Sequence, residues 1–391
     1  MAAKPKFFEF FAGGGMARAG LGDGWECAFA NDFDAVKVET YIANWGAEHI
    51  VQEDVARLTT SDLPGRADLV WASFPCQDLS LAGDYRGLGK ASSAVATRSG
   101  TFWPFWRLMQ GLAAEGRAPR LIVLENVYGA LTSNNGGDFA AIGEALAGSG
   151  YRLGAMVIDA RLFLPQSRPR VFFVAVRQGQ RIPAWLVAAG PDAAWHPRAL
   201  TAAHSGLPAA ARQAWLWWNL APPPVRNSVF ADLVEEEPIG VRWHTAEETR
   251  YLMSLMSDVS LRKVEAAKKL GRRAVGALYR RTRPDENGGR RQRAEVRFDE
   301  IAGCLRTPAG GSSRQTILVI EGRRIRSRLL SPREAARLMG IDDGYKLPER
   351  YNDAYHVCGD GVAVPVVRHI AERLLRPMLE TGLNEAPLAA E

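Results

Sequence analysis

Short apolar runs recur through the first 176 residues, and stretches with helical spacing separate them. Residues 6–12 read as a strand that ends in a glycine turn and opens a helix. Residues 26–31, 68–72 and 121–125 read as further strands, and the Val- and Phe-rich run 171–176 closes the series. Strands alternating with helices predict a largely parallel sheet covered by helices on both faces. From about residue 178 the pattern changes. Residues 181–243 hold six tryptophans together with Pro222, Pro223 and Pro224, and residues 262–297 are dense in arginine. The alternation returns with a strand at 315–321, a helix at 331–340 with Pro332 at its first position, and a last helix from 366 to about 379. No internal repeat is present. The pattern predicts an α/β domain interrupted by a smaller second domain.

Composition narrows this without naming a function. At 391 residues, 47% hydrophobic and 24% charged, the chain is long enough for a large and a small core and is not disordered overall. Its four cysteines, Cys27, Cys76, Cys304 and Cys358, are scattered. Neither a disulfide framework nor a metal site is expected, and a reducing cytosol fits this usage. Glu9 interrupts the apolar N-terminal run, and no run approaches the ~18 residues of a membrane span. A soluble, cytoplasmic protein is therefore expected. The formal charge of +6 and pI near 9.2 hint at an anionic partner.

Five segments carry candidate chemistry. In Phe11-Ala12-Gly13-Gly14-Gly15, a strand runs into glycines and a helix, so backbone N–H groups can approach an anionic ligand group. Glycine turns also simply connect strands to helices. Asp32 and Phe33 follow the next strand, where a carboxylate can take ribose hydroxyls, and Asp54 and Val55 stand at a third strand end. Each acid alone reads better as a helix cap or solvated loop residue, but their order along the sheet favours an adenosine-containing cofactor. Cys76, between Pro75 and the polar Gln77-Asp78-Leu79-Ser80, suits a displayed thiolate, and the Gly/Ser/Ala-rich stretch to Gly100 suits a mobile lid. Glu125 ends an apolar strand, where partial desolvation favours the protonated form and general-acid work. In Gln166-Ser167-Arg168-Pro169-Arg170, two arginines at alternate positions of an extended segment point the same way.

Taken together these segments resemble the C5-cytosine DNA methyltransferase family, of bacterial type, over most of the chain. Two more motifs complete the family's order: residues 330–340, Leu-Ser-Pro-Arg-Glu-Ala-Ala-Arg-Leu-Met-Gly, and 359–365, Gly-Asp-Gly-Val-Ala-Val-Pro. The resemblance implies a mixed α/β sheet of the Rossmann-like SAM-dependent methyltransferase fold. The catalytic domain would comprise 1–178 and 331–391, and 179–330 would form a target-recognition domain. It implies attack of Cys76 on C6 of a flipped-out cytosine, contact of Glu125 with N3 and the amine, and contact of Arg170 with O2. Arg168 supports or assists. S-adenosylmethionine (SAM), leaving as S-adenosylhomocysteine, would lie against Phe11, Gly13, Gly14, Gly15, Asp32, Phe33, Asp54, Val55, Pro75, Phe102, Asp360 and Val362, with the last helix folded back beside the N-terminal strands. Gln77 and Ser80 would face DNA. A role in restriction-modification or epigenetic marking follows, with double-stranded DNA as substrate, a cognate restriction endonuclease as partner, no resident metal, a monomer on DNA and a nucleoid location. Met16 in place of a glycine, Asp32 in place of Glu, Asp360 in place of Asn and Cys304-Leu305 in place of Thr-Leu mark a divergent branch.

The charge is unevenly spread. Residues 262–297 hold thirteen Arg and Lys against four acids, a formal +9, so the remaining 355 residues sum to −3. Arg272, Arg273, Arg280, Arg281, Arg283, Arg290, Arg291 and Arg293, interleaved with glycines and Tyr279, suit contacts to a nucleic-acid backbone. A solvated helix face is the plain alternative. The tryptophans of 185–243 read as packing for the smaller domain. Other functional classes stay open at this point: a tRNA cytosine methyltransferase, a catalytically silent DNA binder, and a dinucleotide oxidoreductase.

Overall fold

The computed structural model describes residues 3–75, 101–284, 289–306 and 314–381. Seven strands form the main sheet: β1 (Lys6–Phe10), β2 (Glu26–Asp32), β3 (Ile50–Gln52), β4 (Leu69–Ala72), β5 (Leu121–Val127), β6 (Tyr151–Asp159) and β7 (Pro169–Arg177). Their order is β3-β2-β1-β4-β5-β7-β6. The first five run parallel, whereas β7 is antiparallel to both β5 and β6. The sheet is therefore mixed, as the family resemblance implies, rather than parallel as the alternation alone predicts. The strand β6 escaped the hydrophobic pattern because Arg152 and Gly154 break its run.

Strands β1, β4, β5 and β7 are almost wholly buried, which is why they read as continuous apolar runs rather than alternating ones. One face, with Phe8, Phe10, Val70, Ile122, Leu124 and Phe173, packs on α3 (Phe102–Ala114), α4 (Gly137–Gly148), α5 (Arg198–Ser205) and α6 (Ala209–Gln213). Glu9 faces the other way, against α1 (Met16–Leu21). The helix α2 (Ala35–Trp45) follows β2 and is capped by Asp34, whose side chain accepts from the Lys37 N–H.

The chain separates into two compact units. The first comprises 1–159, 169–223 and 361–391, and the second 160–168 and 224–360. These bounds differ from the motif-based division: 179–223 belongs with the first unit and 331–360 with the second. Five of the six tryptophans accordingly lie in the first unit. The short pair β8 (Val187–Ala188) and β9 (Trp217–Trp218) packs along β6, and Trp218 donates its indole N–H to Val174 O at 3.2 Å.

The second unit is built on a four-stranded antiparallel sheet ordered β11-β10-β12-β13, from β10 (Ala274–Pro284), β11 (Arg290–Arg297), β12 (Thr316–Glu321) and β13 (Arg324–Leu329). With it go α7 (Ala246–Ser254), α8 (Asp258–Lys268), α9 (Pro332–Leu338) and α10 (Tyr351–Asp360). Pro332 stands in the first turn of α9 as expected, and Ser331 and Glu334 add a capping box that satisfies the first N–H groups. The chain then returns to the first unit as α11 (Val364–Ile370) and α12 (Arg376–Thr381), joined by a π turn over Ala371–Leu375. Pro377 sits just past that turn, where its missing N–H interrupts the α-helical bonding.

Gly154 shows how tightly the antiparallel edge is packed. A Cβ at this position would lie 2.1 Å from the Leu216 carbonyl oxygen and 2.7 Å from the Trp218 indole nitrogen. Leu216 is itself bonded to Leu153 and cannot retreat. Gly154→Ala should therefore lower the unfolding free energy by about 2–3 kcal/mol, read as a lower denaturant midpoint at unchanged slope. An unchanged midpoint would show that β9 moves freely off β6.

Candidate active site

The glycine loop leaves β1 through a strained bend. Phe11 has φ +57°, unusual for a side chain of that size, and Gly13 and Gly15 have φ +56° and +80°. Two contacts hold the bend. The Asp32 carboxylate at the end of β2 accepts the Gly13 N–H at 2.8 Å and the Asp34 N–H at 3.0 Å. Beneath the loop the Trp45 indole donates to Gly14 O at 3.0 Å. A Cβ on Gly15 would lie 2.5 Å from that indole nitrogen, so only glycine lets the loop settle on α2. Burial pushes the Asp32 carboxyl above its ordinary range, and the Lys37 charge and the two N–H groups oppose this. Each of its oxygens keeps a free lone pair, so ribose hydroxyls can still be accepted.

Around this loop the cofactor candidates fall into place unevenly. Phe33 is 60% exposed at the end of β2, a large aromatic face free for stacking. Val55 is buried, and Asp54 is exposed with its carboxylate accepting the Ala56 N–H at 2.9 Å. Phe102 is buried among Phe74, Trp103 and Trp106. Val362 is buried in the first unit, whereas Asp360 is an exposed residue closing α10 in the second.

Strand β5 brings the candidate carboxyl, Glu125. Glu125, buried, meets the Arg170 guanidinium at 3.1 Å. The antiparallel register pairs Glu125 with Phe172 and Val127 with Arg170. The charged pair is thus a diagonal neighbour on one face of the sheet. Asn126, pointing the other way, donates to Phe74 O at 3.4 Å and so ties the end of β5 to the segment that leads into Pro75. Cys76, Gln77, Ser80 and the rest of the expected lid lie outside the described residues.

Arg168 does not point with Arg170. It precedes the strand, is buried, and donates to Leu305 O at 3.3 Å, Gly359 O at 2.8 Å and the Cys304 sulfur at 3.4 Å, all in the second unit. Pro169 begins β7, so the alternation that would align the two arginines starts one residue too late. Gln166 does similar work, donating to Leu338 O at 2.6 Å and accepting from Leu305 N–H.

In the second unit, β10 and β11 form the arginine-rich hairpin. Arg281 faces Arg293 and Arg283 faces Arg291 directly across it. Arg280, Arg281, Arg291 and Arg293 are exposed. The side chains of Arg283 and Arg290 lie outside what is described. Arg272 and Arg273 are otherwise engaged, with Glu300 at 2.6 Å and Glu236 at 3.1 Å respectively.

The C-5 cytosine-specific DNA methylase family profile matches residues 5–376. The chain belongs to that family. It is 32% identical over 173 residues to the type II methyltransferase M.BsuFI of Bacillus subtilis, covering 44% of this chain and 39% of that protein. It is 25% identical over 375 residues to M.NlaX of Neisseria lactamica, covering 94% and 96%. Among solved structures, the Entamoeba histolytica methyltransferase EhMeth aligns over 96% of this chain and 99% of its own, with TM-score 0.62 at 13% identity, a likeness of fold. The enzyme is a DNA-cytosine methyltransferase of a SAM-dependent family. Among the described residues, no helix is long and apolar enough to cross a membrane.

Within this methyltransferase one departure from the family pattern has its space left by a glycine. Met16, where a glycine is common, is buried, and a Cβ on Gly361 would lie 2.0 Å from its sulfur. The returning helix α11 also packs on α1 as the resemblance implies: a Cβ on Gly20 would lie 2.4 Å from Val367. Tyr41 and Trp45, which support the loop from below, carried no motif signal, because at i and i+4 on α2 they read as an ordinary apolar face.

Glu9 was also silent in the sequence. Its carboxyl is buried beneath α1, and burial raises its pKa to about 8 against the pull of the Ala17 and Arg18 backbone N–H groups and the Arg18 charge. The folded enzyme thus keeps this proton up to about pH 8, whereas the unfolded chain releases it near 4.5. Between those values the native state binds more protons, so this group's contribution to stability is lost as pH rises, by up to ~1.4 kcal/mol per pH unit. Glu9→Gln should flatten the decline in unfolding free energy between pH 5 and 8. An identical slope in the variant would assign the decline to other groups.

Proposed function

We propose that the enzyme methylates C5 of a cytosine flipped out of duplex DNA, through a covalent bond between Cys76 and C6. The observation that carries this reading is the buried Glu125–Arg170 pair at the end of β5, beside the segment that opens Phe74-Pro75-Cys76. A flipped pyrimidine presents O2, N3 and an exocyclic amine along one edge. Arg170 is the donor for O2. Glu125 accepts from the amine and holds a proton at N3, which stabilises negative charge developing in the ring as the thiolate adds. Addition at C6 makes C5 nucleophilic. C5 takes the methyl of SAM, a base removes the C5 proton, and the C6–S bond breaks to release 5-methylcytosine and the thiolate.

SAM supplies an electrophilic methyl when bound, and the residues present suit it. The loop N–H groups, Asp32 with free lone pairs, and the exposed Phe33 offer polar and stacking partners for an adenosine group and its amino-acid tail. Asp54, Val55, Pro75 and Phe102, with Asp360 and Val362, are the further candidates. Arg168, with its donors on Leu305 O and Gly359 O, acts as a positioning residue rather than touching the base.

For DNA, the hairpin arginines Arg280, Arg281, Arg291 and Arg293 are the candidate phosphate contacts, with Gln77 and Ser80, which follow Cys76 in the sequence. Like charges directly opposite on a hairpin repel, and an anionic partner along that face relieves this. We assign the enzyme to work as a monomer on the nucleoid DNA of a bacterial cytoplasm. Its relatives' type II designation supports a restriction-modification role alongside an endonuclease for the same site.

Two outcomes test this. A duplex carrying 5-fluorocytosine in the target site should give, with SAM, an adduct that survives denaturing electrophoresis, and Cys76→Ser should give none. Methyl transfer by the wild type without any trapped adduct would refute the covalent step. Replacing Arg291 and Arg293 together by Gln should lower the slope of log K against log salt by about 1.8 for duplex binding. A slope equal to wild type would move the phosphate contacts elsewhere.

A further inference from the structure

The second unit holds one more concentration of cationic groups, which the chemistry above does not use. A cavity of about 680 Å³ opens there, and its wall includes Arg242, His244, Arg314, Arg350, Tyr351 and Asp353. Sheet register explains its place. Thr316 pairs with Leu278 of β10 and with Leu329 of β13, so two strands stop at this level while β10 continues to Pro284. Leu329 and Arg314, on either side of that stop, both line the cavity. It therefore sits at the root of the arginine hairpin. Arg280, at the start of the projecting part, is near enough to act on His244, whose pKa is lowered first by burial and further by Arg242 and Arg280, against Glu248.

The arginines on the wall differ in what they have left to give. Arg242 is taken by Glu248 in a bidentate pair at 2.6 and 2.8 Å. Arg314 lies over the Tyr351 ring, 5.4 Å from guanidinium to centroid, and donates to Asn352. Its Nε is buried without a hydrogen-bond partner. A buried donor of that kind costs free energy until an acceptor reaches it. Arg350 is exposed and has no side-chain partner among the described residues. Against these stands one acid on the wall, Asp353. A planar guanidinium fixed by a ring and an amide, beside a second uncommitted guanidinium, presents a fork of donors matched to phosphate oxygens.

We propose that this cleft seats one phosphate of the DNA backbone, held by Arg314 and Arg350, where the nucleic acid passes the root of the arginine hairpin. The proposal rests on the duplex-binding reading above and adds a contact remote in sequence from residues 262–297. The seat is a phosphate seat chemically, so a free anion must be told apart from the polymer.

Duplex binding is measured across a salt series for wild type, Arg350→Gln, Arg314→Gln, Arg350→Lys and the Arg291/Arg293 double variant, with inorganic phosphate and a mononucleotide as competitors. Arg350→Gln and Arg314→Gln should each weaken binding ~3–10-fold at low salt and reduce the salt slope by about 0.9. Arg350→Lys, which keeps the charge, should restore most of the slope. Because Arg350 is exposed, its variant stays informative even if Arg314→Gln folds poorly. Wild-type affinity and slope in both Gln variants, with loss only in the hairpin double variant, would overturn the cleft while leaving the DNA reading intact. Phosphate or mononucleotide binding that Arg350→Gln abolishes without changing DNA affinity would make it a small-anion site instead. A wild-type enzyme that binds no duplex at any salt would remove the DNA reading itself.

Discussion

The site depends on one reversal in the sheet. Five strands run parallel and deliver their C-terminal ends to a common edge, yet Arg170 lies at the start of β7, not its end. Only because β7 runs antiparallel to β5 does the beginning of one strand meet the finish of the other, bringing Arg170 within 3.1 Å of Glu125. The register makes the contact diagonal, and a slip by one residue would turn Arg170 to the other face. Ten flanking positions of β5 and β7, including Val123, Leu124, Phe173 and Val174, are buried apolar side chains. They pin that register against the desolvation cost of a buried ion pair.

Much of this was legible along the chain, and what was not has identifiable causes. The strands buried on both faces announced themselves as unbroken apolar runs, and Pro332 marked the start of α9. The direction of β7 was not, because a fully buried strand looks alike in either orientation. Likewise the two arginines of 168–170 look equivalent in sequence, but Pro169 starts the strand between them and sends each to its own partners. The tryptophan-rich stretch misled about location. Trp195 and Trp218 are packing residues, but for the open edge beyond β6 in the first unit rather than for the smaller domain.

The charge distribution sharpens in the same way. A formal +9 over residues 262–297 overstates the free cation surface, since Lys268, Arg272, Arg273, Arg281 and Arg297 are paired with neighbouring acids. What remains is a hairpin whose facing positions repeat arginine against arginine. Cross-strand repulsion of that kind weakens a two-stranded projection. The hairpin keeps its shape because its base is secured elsewhere: Leu278, Ala294 and Val296 belong to the buried core of the second unit. Apolar burial is concentrated at the root of the hairpin, and the exposed arginines lie along its strands beyond that root.

The glycine loop shows how residues far apart in the chain can be one adjustment. A methionine in place of a small residue at position 16 needs volume, and the volume lies where Gly361 lacks a side chain. Gly20 concedes space to Val367 in the same manner, so the N-terminal helix and the returning C-terminal helix approach as closely as their backbones permit. A strained Phe11 and two glycines at positive φ persist above that contact because Asp32, Trp45 and the packed helix pair hold the loop from three directions. The loop's geometry is therefore a property of residues 9–45 and 361–367 jointly, which is why departures from the family pattern at Met16 and near Asp360 need not disturb it.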